Sequence, residues 1–363
     1  MRRALELAEQ GKGRVSPNPL VGAVVVKEGT VAGEGFHAAW GEAHAEAVAL
    51  DKAGKIAEGA DLYVTLEPCN HKGKTGKCTE KILSSGIRKV ILAVHDPNPD
   101  VEGGGAEFLK GRGIEVVTGV LEDEARFQNR FYFKSVTQKV PYVILKWAMS
   151  LDGYTAAASG DSKWISSEES RKSVHIMRNE VDAVCAGVNT VITDDPLFTC
   201  RSVPGGRDPV RIVIDPRLRT PPDARLFSSS SPLVFITKQD ASPDRRRSFE
   251  EKGAECVEIQ ENEGTVDLGE MLRSLYARKI TSVLVEGGGV TAGYFLKNRL
   301  ADEAVAFCAP CLIGGGEANP VTGAGIRNMD QRVNIIGIAT AHYGHDICIR
   351  GKIEYPAEQQ EDT

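Results

Sequence analysis

The 363-residue chain has no apolar run near the ~18–20 residues that a membrane-spanning helix needs. It also lacks a basic stripe. Net charge is −6, and the densest basic run, Arg245 to Arg247, stands among Asp244, Glu250 and Glu251. Proteins that live on nucleic acid usually carry such a stripe, so a small-molecule substrate is expected and neither nucleic acid nor membrane is. The first residues have two arginines but no apolar core and no cleavage site, and Glu6 and Glu9 do not suit a transit peptide. The expected compartment is the cytoplasm. In that setting the eight cysteines are expected as thiols or ligands rather than disulfides. No internal repeat or low-complexity tract stands out. No G-x-G-x-x-G links a strand to a helix, so the usual dinucleotide fingerprint is missing too.

What remains is an ordinary globular composition, 41% hydrophobic and 26% charged. The length exceeds what one core usually covers, so two domains are expected. Residues 1–120 alternate helical and strand patterns. Strands are expected at Ala23 to Val26, Asp61 to Leu66 and Val90 to Val94. Helices are expected over roughly 1–10, Ala43 to Ala53, Thr79 to Ser85 and Ala106 to Arg112. Such alternation implies an α/β layer fold with a largely parallel sheet. Residues 120–140 are helical in character, and Val140-Pro141 breaks the pattern. A second α/β series follows. Its strands are expected at 142–148, 183–186, 210–214, 234–236, 256–259, 282–285 and 305–309, and its helices at about 167–180, 242–252, 267–278 and 289–298.

The strongest local signal is His44-Ala45-Glu46, then Pro68-Cys69, then Cys78. Zinc takes nitrogen and sulfur ligands tetrahedrally, and a catalytic site leaves one position for water. His44, Cys69 and Cys78 supply three ligands. Water in the fourth position can have its pKa lowered to ~7. A carboxylate two residues from the ligating histidine, at a helix start, can carry the proton from that water to a leaving nitrogen. Glu46 stands there. H-x-E followed by P-C-x-x-C marks the zinc deaminases. Here the second cysteine follows only after the loop from Asn70 to Lys77. A closed structural zinc site is the alternative, with His71 as a fourth ligand.

The stretches SPNPLVGAVVV, GEGFH, GEAHAEAVAL, YVTLEPCNHKGKTGKC and DPNP resemble the deaminase half of the bifunctional riboflavin-biosynthesis deaminase/reductase family. The long Cys–Cys loop belongs to that family. KWAMSLDGYTA, SGDSKWISS, VNTVITDDPLFTCR, VRIVID, VLVEGGG and APCLIGG resemble its reductase half. The resemblance spans nearly the whole chain. It implies a cytidine-deaminase-like α/β/α domain over 1–140, a zinc-dependent pyrimidine deaminase. It implies a dihydrofolate-reductase-like α/β domain over 141–363, an NADPH-dependent reductase. The first would deaminate 2,5-diamino-6-(5-phosphoribosylamino)pyrimidin-4-one. The second would reduce the ribosyl group of the product, 5-amino-6-(5-phosphoribosylamino)uracil, to a ribityl chain. Family members associate through the reductase half, which implies a homo-oligomer.

For such a substrate, the Asn18 amide both donates and accepts and suits a pyrimidinone edge. His37, His71 and Lys74 lie near the metal loops and could meet the 5′-phosphate. Asp96 and Asn98 follow an apolar strand, where open α/β sheets bind ligands. They could hold the ribose, or simply form an Asx turn. In the second half a strand runs into three glycines and a helical stretch, which suits a phosphate at a helix N-terminus. Resemblance implies that Gly288, Gly289, Val290, Thr291, Ala292, Gly293 and Tyr294 line the cofactor, with Ala148, Trp164, Thr190 and Asp194. It implies Ser162, Arg178, Phe198, Arg201 and Glu286 as substrate residues. A guanidinium can grip a phosphate with two prongs. Lys146 is a candidate proton donor. The other cysteines, 185, 200, 256, 308, 311 and 348, are expected largely in the core. Two other readings compete: a deaminase of tRNA or free cytidine fused to an unrelated domain, and a non-catalytic zinc module that binds phosphoribosyl ligands.

Overall fold

The computed structural model describes residues 1–70, 76–99, 104–315 and 318–357. The chain divides into two compact units, Met1–Val140 and Pro141–Thr363. Among the described residues no helix is long and apolar enough to cross a membrane.

The first unit holds one sheet built from β1 (Gly22–Lys27), β2 (Thr30–Phe36), β3 (Asp61–Leu66), β4 (Lys89–Val94) and β5 (Glu115–Val117), in the order β2-β1-β3-β4-β5. Its helices are α1 (Arg2–Ala8), α2 (Ala45–Ala53), α3 (Cys78–Ser84), α4 (Gly105–Lys110), α5 (Glu122–Gln128) and α6 (Arg130–Gln138). Successive strand residues face opposite sides, and both sides are covered. Ala23, Val25, Leu62, Val64, Val90 and Leu92 pack against Ala45, Ala49, Leu50, Ile82 and Leu109. On the other side, Val24 meets Ala4 and Leu7, while Ala93 and Val94 meet Ala125, Tyr132 and Val136.

The expectation of a largely parallel sheet needs correction here. Only β3–β4 and β4–β5 are parallel, and β1 runs antiparallel to both β2 and β3. Strand β2 had no apolar signature because its outer half is exposed and its inner half is glycine-rich. The glycines are a consequence of close packing. A Cβ on Gly33 would stand 2.2 Å from the Ala49 carbonyl oxygen, and one on Gly35 2.3 Å from that of Ala45. Helix α2 therefore lies against β2 at backbone contact distance, with alanines toward the sheet.

The second unit carries a nine-stranded sheet. Its strands are β6 (Tyr142–Ser150), β7 (Ala183–Gly187), β8 (Val210–Ile214), β9 (Leu233–Thr237) and β10 (Glu255–Glu258), then β13 (Ser282–Glu286), β14 (Glu303–Ala309), β15 (Asn334–Tyr343) and β16 (Asp346–Glu354). A separate two-stranded ribbon, β11 (Glu261–Asn262) and β12 (Thr265–Val266), precedes β13. The order is β10-β9-β8-β7-β13-β6-β14-β16-β15. The strands from β10 through β14 pair in parallel, and β16 and β15 close the row antiparallel. The helices are α7 (Glu168–Glu180), α8 (Val188–Asp194), α9 (Pro243–Glu250), α10 (Leu268–Ala277) and α11 (Gly289–Lys297). Helix α7 starts where the Ser167 hydroxyl accepts from the Ser170 N–H, with Glu168 and Glu169 in the positive first turn. Helix α8 and the β15–β16 hairpin were absent from the sequence expectations. The six cysteines outside the first unit are all free; Cys185 and Cys348 are buried, but Cys311 is exposed, against expectation.

Gly35→Ala is expected to push α2 off β2. Overpacking of this kind costs about 1–3 kcal/mol, so denaturant unfolding should show that loss. Metal content should fall with it, since His44 caps α2.

Candidate functional sites

Two helix starts and one strand exit bring the metal-type ligands together. His44 is the residue before the first turn of α2, Cys78 opens α3, and Cys69 follows β3. His44 Nδ1 lies 3.2 Å from Cys78 Sγ and 3.5 Å from Cys69 Sγ. The three donor atoms all fall within 4.8 Å of one another. One imidazole nitrogen and two sulfurs at this spacing fit a tetrahedral zinc site with one open position. The two thiols influence each other. The hydrogen bond with Cys78 holds Cys69 well below the usual thiol range, while the same bond and burial push Cys78 up. Metal binding requires those protons to leave.

Glu46 sits in the first turn of α2 and is only 4% exposed. Burial keeps its carboxyl above the ordinary range, and the Cys69 charge adds to this. Thr79 ties the two cysteine segments together. Its N–H donates to the Cys69 carbonyl at 3.3 Å and its hydroxyl to Asn70 Oδ1 at 2.9 Å.

Asn18 stands beside this cluster through His37. The His37 Nδ1 lies 3.1 Å from the Ala43 carbonyl, an acceptor, so Nδ1 carries the hydrogen. Burial lowers the pKa of the ring and so disfavours a second hydrogen. Nε2 therefore accepts from Asn18 Nδ2, 3.1 Å away. His37 is 3% exposed and both nitrogens are engaged. The ring orients Asn18 and packs edge-on against His44, centroids 5.6 Å apart. The Asn18 loop is fixed from a residue the sequence did not flag. Asn129, buried, donates to the Leu20 carbonyl at 2.8 Å and accepts from the Leu20 N–H at 2.7 Å. Nothing in the spacing of an asparagine 109 residues away signals this.

Asp96 and Asn98 form the Asx turn: the Asn98 N–H donates to Asp96 Oδ1 at 3.0 Å. Tyr132 donates to the same carboxylate at 3.1 Å. Glu67, another residue not flagged, joins the ends of β3 and β4 by accepting from the Asp96 N–H and facing His95 at 2.9 Å. His71 and Lys74 lie outside the described residues.

In the second unit the functional residues gather where β6, β7 and β13 sit side by side. Lys146 and Glu286 are register partners on β6 and β13 and so share a face. A cavity of about 310 Å³ is lined there by Lys146, Trp164, His175, Arg178, Arg201 and Glu286, among others. Arg178 lines it, but not with a free fork. Its Nε and Nη2 donate to the two oxygens of Glu286 at 2.6 and 2.8 Å, and Nη1 donates to the Thr199 carbonyl at 3.1 Å. The two-pronged phosphate grip expected of it is closed on a carboxylate instead. Burial alone would raise Glu286; Arg178, with Lys146, outweighs this and holds it below its usual range. Burial pushes the Lys146 ammonium down and Arg178 adds to this, while Glu286 pulls the other way. Its Nζ lies 5.6 Å from the Phe307 ring centre.

Trp164 is 71% exposed, with the Arg171 guanidinium 4.4 Å from its ring centre. Phe198 is buried and Ser162 half-buried, and neither lines the cavity. Thr190 on α8 and Thr291 on α11 converge on the glycine turn. A Cβ on Gly288 would stand 3.1 Å from one hydroxyl and 3.3 Å from the other. Such a cradle at the mouth of α11 fits a phosphate-bearing cofactor. Val290 is exposed at the same end, Ala148 is half-buried on β6, and Asp194 is exposed at the end of α8. Three of these seven residues also pack against the interior or the 319–322 segment. A Cβ on Gly289 would meet the Asn319 carbonyl at 2.1 Å, and one on Gly293 that of Thr322 at 1.9 Å, while Ala292 is buried. They let the 319–322 segment lie on the helix. The Tyr294 hydroxyl donates to the Asn262 carbonyl.

Comparison with known proteins is consistent over both units. Residues 1–94 match the cytidine and deoxycytidylate deaminase zinc-binding region, and residues 141–349 match the RibD C-terminal domain. The riboflavin biosynthesis protein RibD of Aquifex aeolicus is 44% identical over 350 residues, 96% of each chain. That of Escherichia coli is 36% identical, covering 96% of this chain and 97% of its own. A solved structure from Thermotoga maritima, described as a diaminohydroxyphosphoribosylaminopyrimidine deaminase/5-amino-6-(5-phosphoribosylamino)uracil reductase, superimposes with TM-score 0.85 at 37% identity, over 98% of this chain and 97% of that one. Acinetobacter baumannii RibD gives 0.87 at 36%, over 97% of each.

Arg178→Met is expected to leave Glu286 buried without its partner. Breaking such a pair costs about 3–5 kcal/mol, readable as a lower denaturant midpoint. Because Glu286 is held low, the pair's stability is present above the ordinary glutamate pKa of ~4.3. It is lost as pH falls below that, through the lower folded value.

Proposed function

The chain belongs to the RibD family of bifunctional deaminase/reductases of riboflavin biosynthesis, and from that premise we propose how its residues divide the two reactions. The first unit takes 2,5-diamino-6-(5-phosphoribosylamino)pyrimidin-4-one and replaces its 2-amino group by oxygen, releasing ammonia. The observation that carries this is the convergence of His44, Cys69 and Cys78 beside buried Glu46. His44, Cys69 and Cys78 would hold zinc, which when bound supplies a Lewis acid that makes water acidic enough to attack at neutral pH. Glu46 takes the proton of the attacking water and passes it to the departing nitrogen. Asn18, held by His37 in a loop that Asn129 pins at Leu20, presents its carbonyl oxygen and its second N–H to the pyrimidine edge. His71 and Lys74 serve the 5′-phosphate, and Asp96 and Asn98 the ribose.

The second unit reduces the ribosyl group of the deaminated product. Thr190, Thr291 and Gly288 would hold NADPH, which Trp164, Ala148, Val290 and Asp194 would also contact; when bound it supplies a hydride. Reduction of the sugar carbon also needs a proton at oxygen, and Lys146 donates it. Its lowered pKa brings the ammonium closer to a working acid. Glu286 and Arg178 form the wall that keeps Lys146 in place.

One coupled assay tests both assignments. Wild-type protein supplied with the diaminopyrimidine phosphate and NADPH should release ammonia and oxidise NADPH. Glu46→Ala should keep its zinc and do neither, yet still oxidise NADPH when given the deaminated intermediate. Unchanged ammonia release would remove Glu46 from the mechanism. Turnover of cytidine alone would overturn the substrate.

The same unit forms the homo-oligomer. Strand β15 ends the sheet, and Ile336, Ile338, Ile347 and Ile349 are exposed on the hairpin it makes with β16. Exposed apolar residues gathered on an edge hairpin suit an interaction face. Ile338→Asp with Ile347→Asp is expected to shift sedimentation from an oligomer to a 39.1 kDa monomer. An unchanged oligomer would place the contact elsewhere.

A further inference from the structure

The cavity on the second unit holds more positive groups than its carboxylates can balance. Arg171, Lys172, Arg178, Arg201 and Lys146 line it against Glu168 and Glu286, and Glu286 is closed on Arg178. With that fork engaged, the anion-binding role falls to other donors. His175 lies one turn before Arg178 on α7, on the same wall. The Arg201 N–H donates to His175 Nδ1 at 3.2 Å. That bond requires a lone pair on Nδ1, so the ring's one hydrogen is on Nε2. A neutral ring suits a place between Arg178 and Arg201, since burial and both cations disfavour its charge. The Thr199 carbonyl, which draws it the other way, accepts from Arg178 Nη1.

We propose that His175 is a substrate-specificity residue of the reductase site, its Nε2–H donating to the phosphomonoester of the sugar substrate while its Nδ1 holds the Arg201 backbone against the same group. This rests on the reductase reading of the second unit. A neutral donor and a neighbouring guanidinium recognise a dianionic phosphate without the cost of burying another charge. The ring also links α7 to the 199–201 segment, so one residue sets both the donor and the position of Arg201.

The two nitrogens can be separated by substitution. His175→Asn can keep an acceptor near the Nδ1 position for the Arg201 N–H but has nothing at Nε2. His175→Gln can place an N–H near Nε2 but loses the Nδ1 acceptor. The measurement is kcat/KM for the 5′-phosphorylated substrate and for its dephosphorylated form, with inhibition by inorganic phosphate as a second readout. Wild type should prefer the phosphorylated form. His175→Asn should lose roughly tenfold to a hundredfold on that form, through KM, with little change on the dephosphorylated one and weaker phosphate inhibition. His175→Gln should retain part of the preference. The opposite ranking, with Asn preserving the preference and Gln abolishing it, would reduce His175 to an anchor for the loop and overturn the assignment. So would an equal loss on both substrates. A wild type that turns over neither form overturns the reductase reading itself, and this assignment with it.

Discussion

Helix α2 rests on β2 with almost no side-chain layer between them, and the first site depends on that contact. Gly33 and Gly35 remove the two Cβ atoms that would strike the carbonyls of Ala49 and Ala45. The helix start is thereby fixed to the sheet rather than to a flexible loop. His44 and Glu46 flank that start, one as its cap and one in its first turn. A metal ligand and a proton carrier need placement to within a fraction of an ångström. A backbone-to-backbone contact gives it better than long side chains would, because it has no rotamers to lose. Thr79 does the corresponding work for the sulfurs, joining the Cys69 segment to the first turn of α3.

The second unit meets a different constraint. Its cavity needs positive charge near an anionic substrate and also a carboxylate deep in the wall. A lone buried carboxylate would take up a proton. Arg178 prevents this by a two-pronged bond to Glu286. The consequence is that this arginine has little left to offer a ligand. Anion recognition moves outward, to exposed Arg201 and to groups on α7 such as Lys172 and His175. The buried pair also lies beside Lys146, whose ammonium is pushed down by burial and by Arg178 and drawn up by Glu286. Charge, protonation and position are thus one coupled problem in this wall.

Much of this was legible in the chain, and the exceptions have physical reasons. The buried parallel strands, such as Leu233–Thr237 and Lys89–Val94, announce themselves as nearly continuous apolar runs. The metal ligands could be read because their chemistry restricts residue types and spacing together. Strand β2 was not legible, since its inner face is glycine for the sake of α2. Strand β15 was not either: most of its residues face solvent, so it has neither an apolar run nor a clean alternation. Asn129 and Glu67 carry no local signal, because what they do is set by partners far away in sequence, Leu20 for one and the His95 ring with the Asp96 and Ala106 N–H groups for the other. The glycine turn carries a second reason that its sequence does not announce: the missing Cβ atoms of Gly289 and Gly293 make room for the 319–322 segment.

Both reactions act on a molecule whose reacting atoms differ, a ring carbon in one case and a sugar carbon in the other, while the phosphate is common to both. Binding energy gathered at a remote, unreactive group can be used to hold the reacting centre in place. In the reductase cavity the residues assigned to that remote group, His175 and Arg201, lie on α7 and the 199–201 segment, whereas Lys146 is on the central strand β6. The elements are therefore separate, joined through Arg178, which touches both Glu286 and the Thr199 carbonyl. A sugar anchored at one end and opened at the other needs such a division. If the anchor and the proton donor shared one side chain, tightening the grip would restrain the group that must move the proton. Placing them on different elements of one rigid sheet and its helix lets affinity and chemistry be set independently, and it explains why the buried arginine joins the two rather than serving either alone.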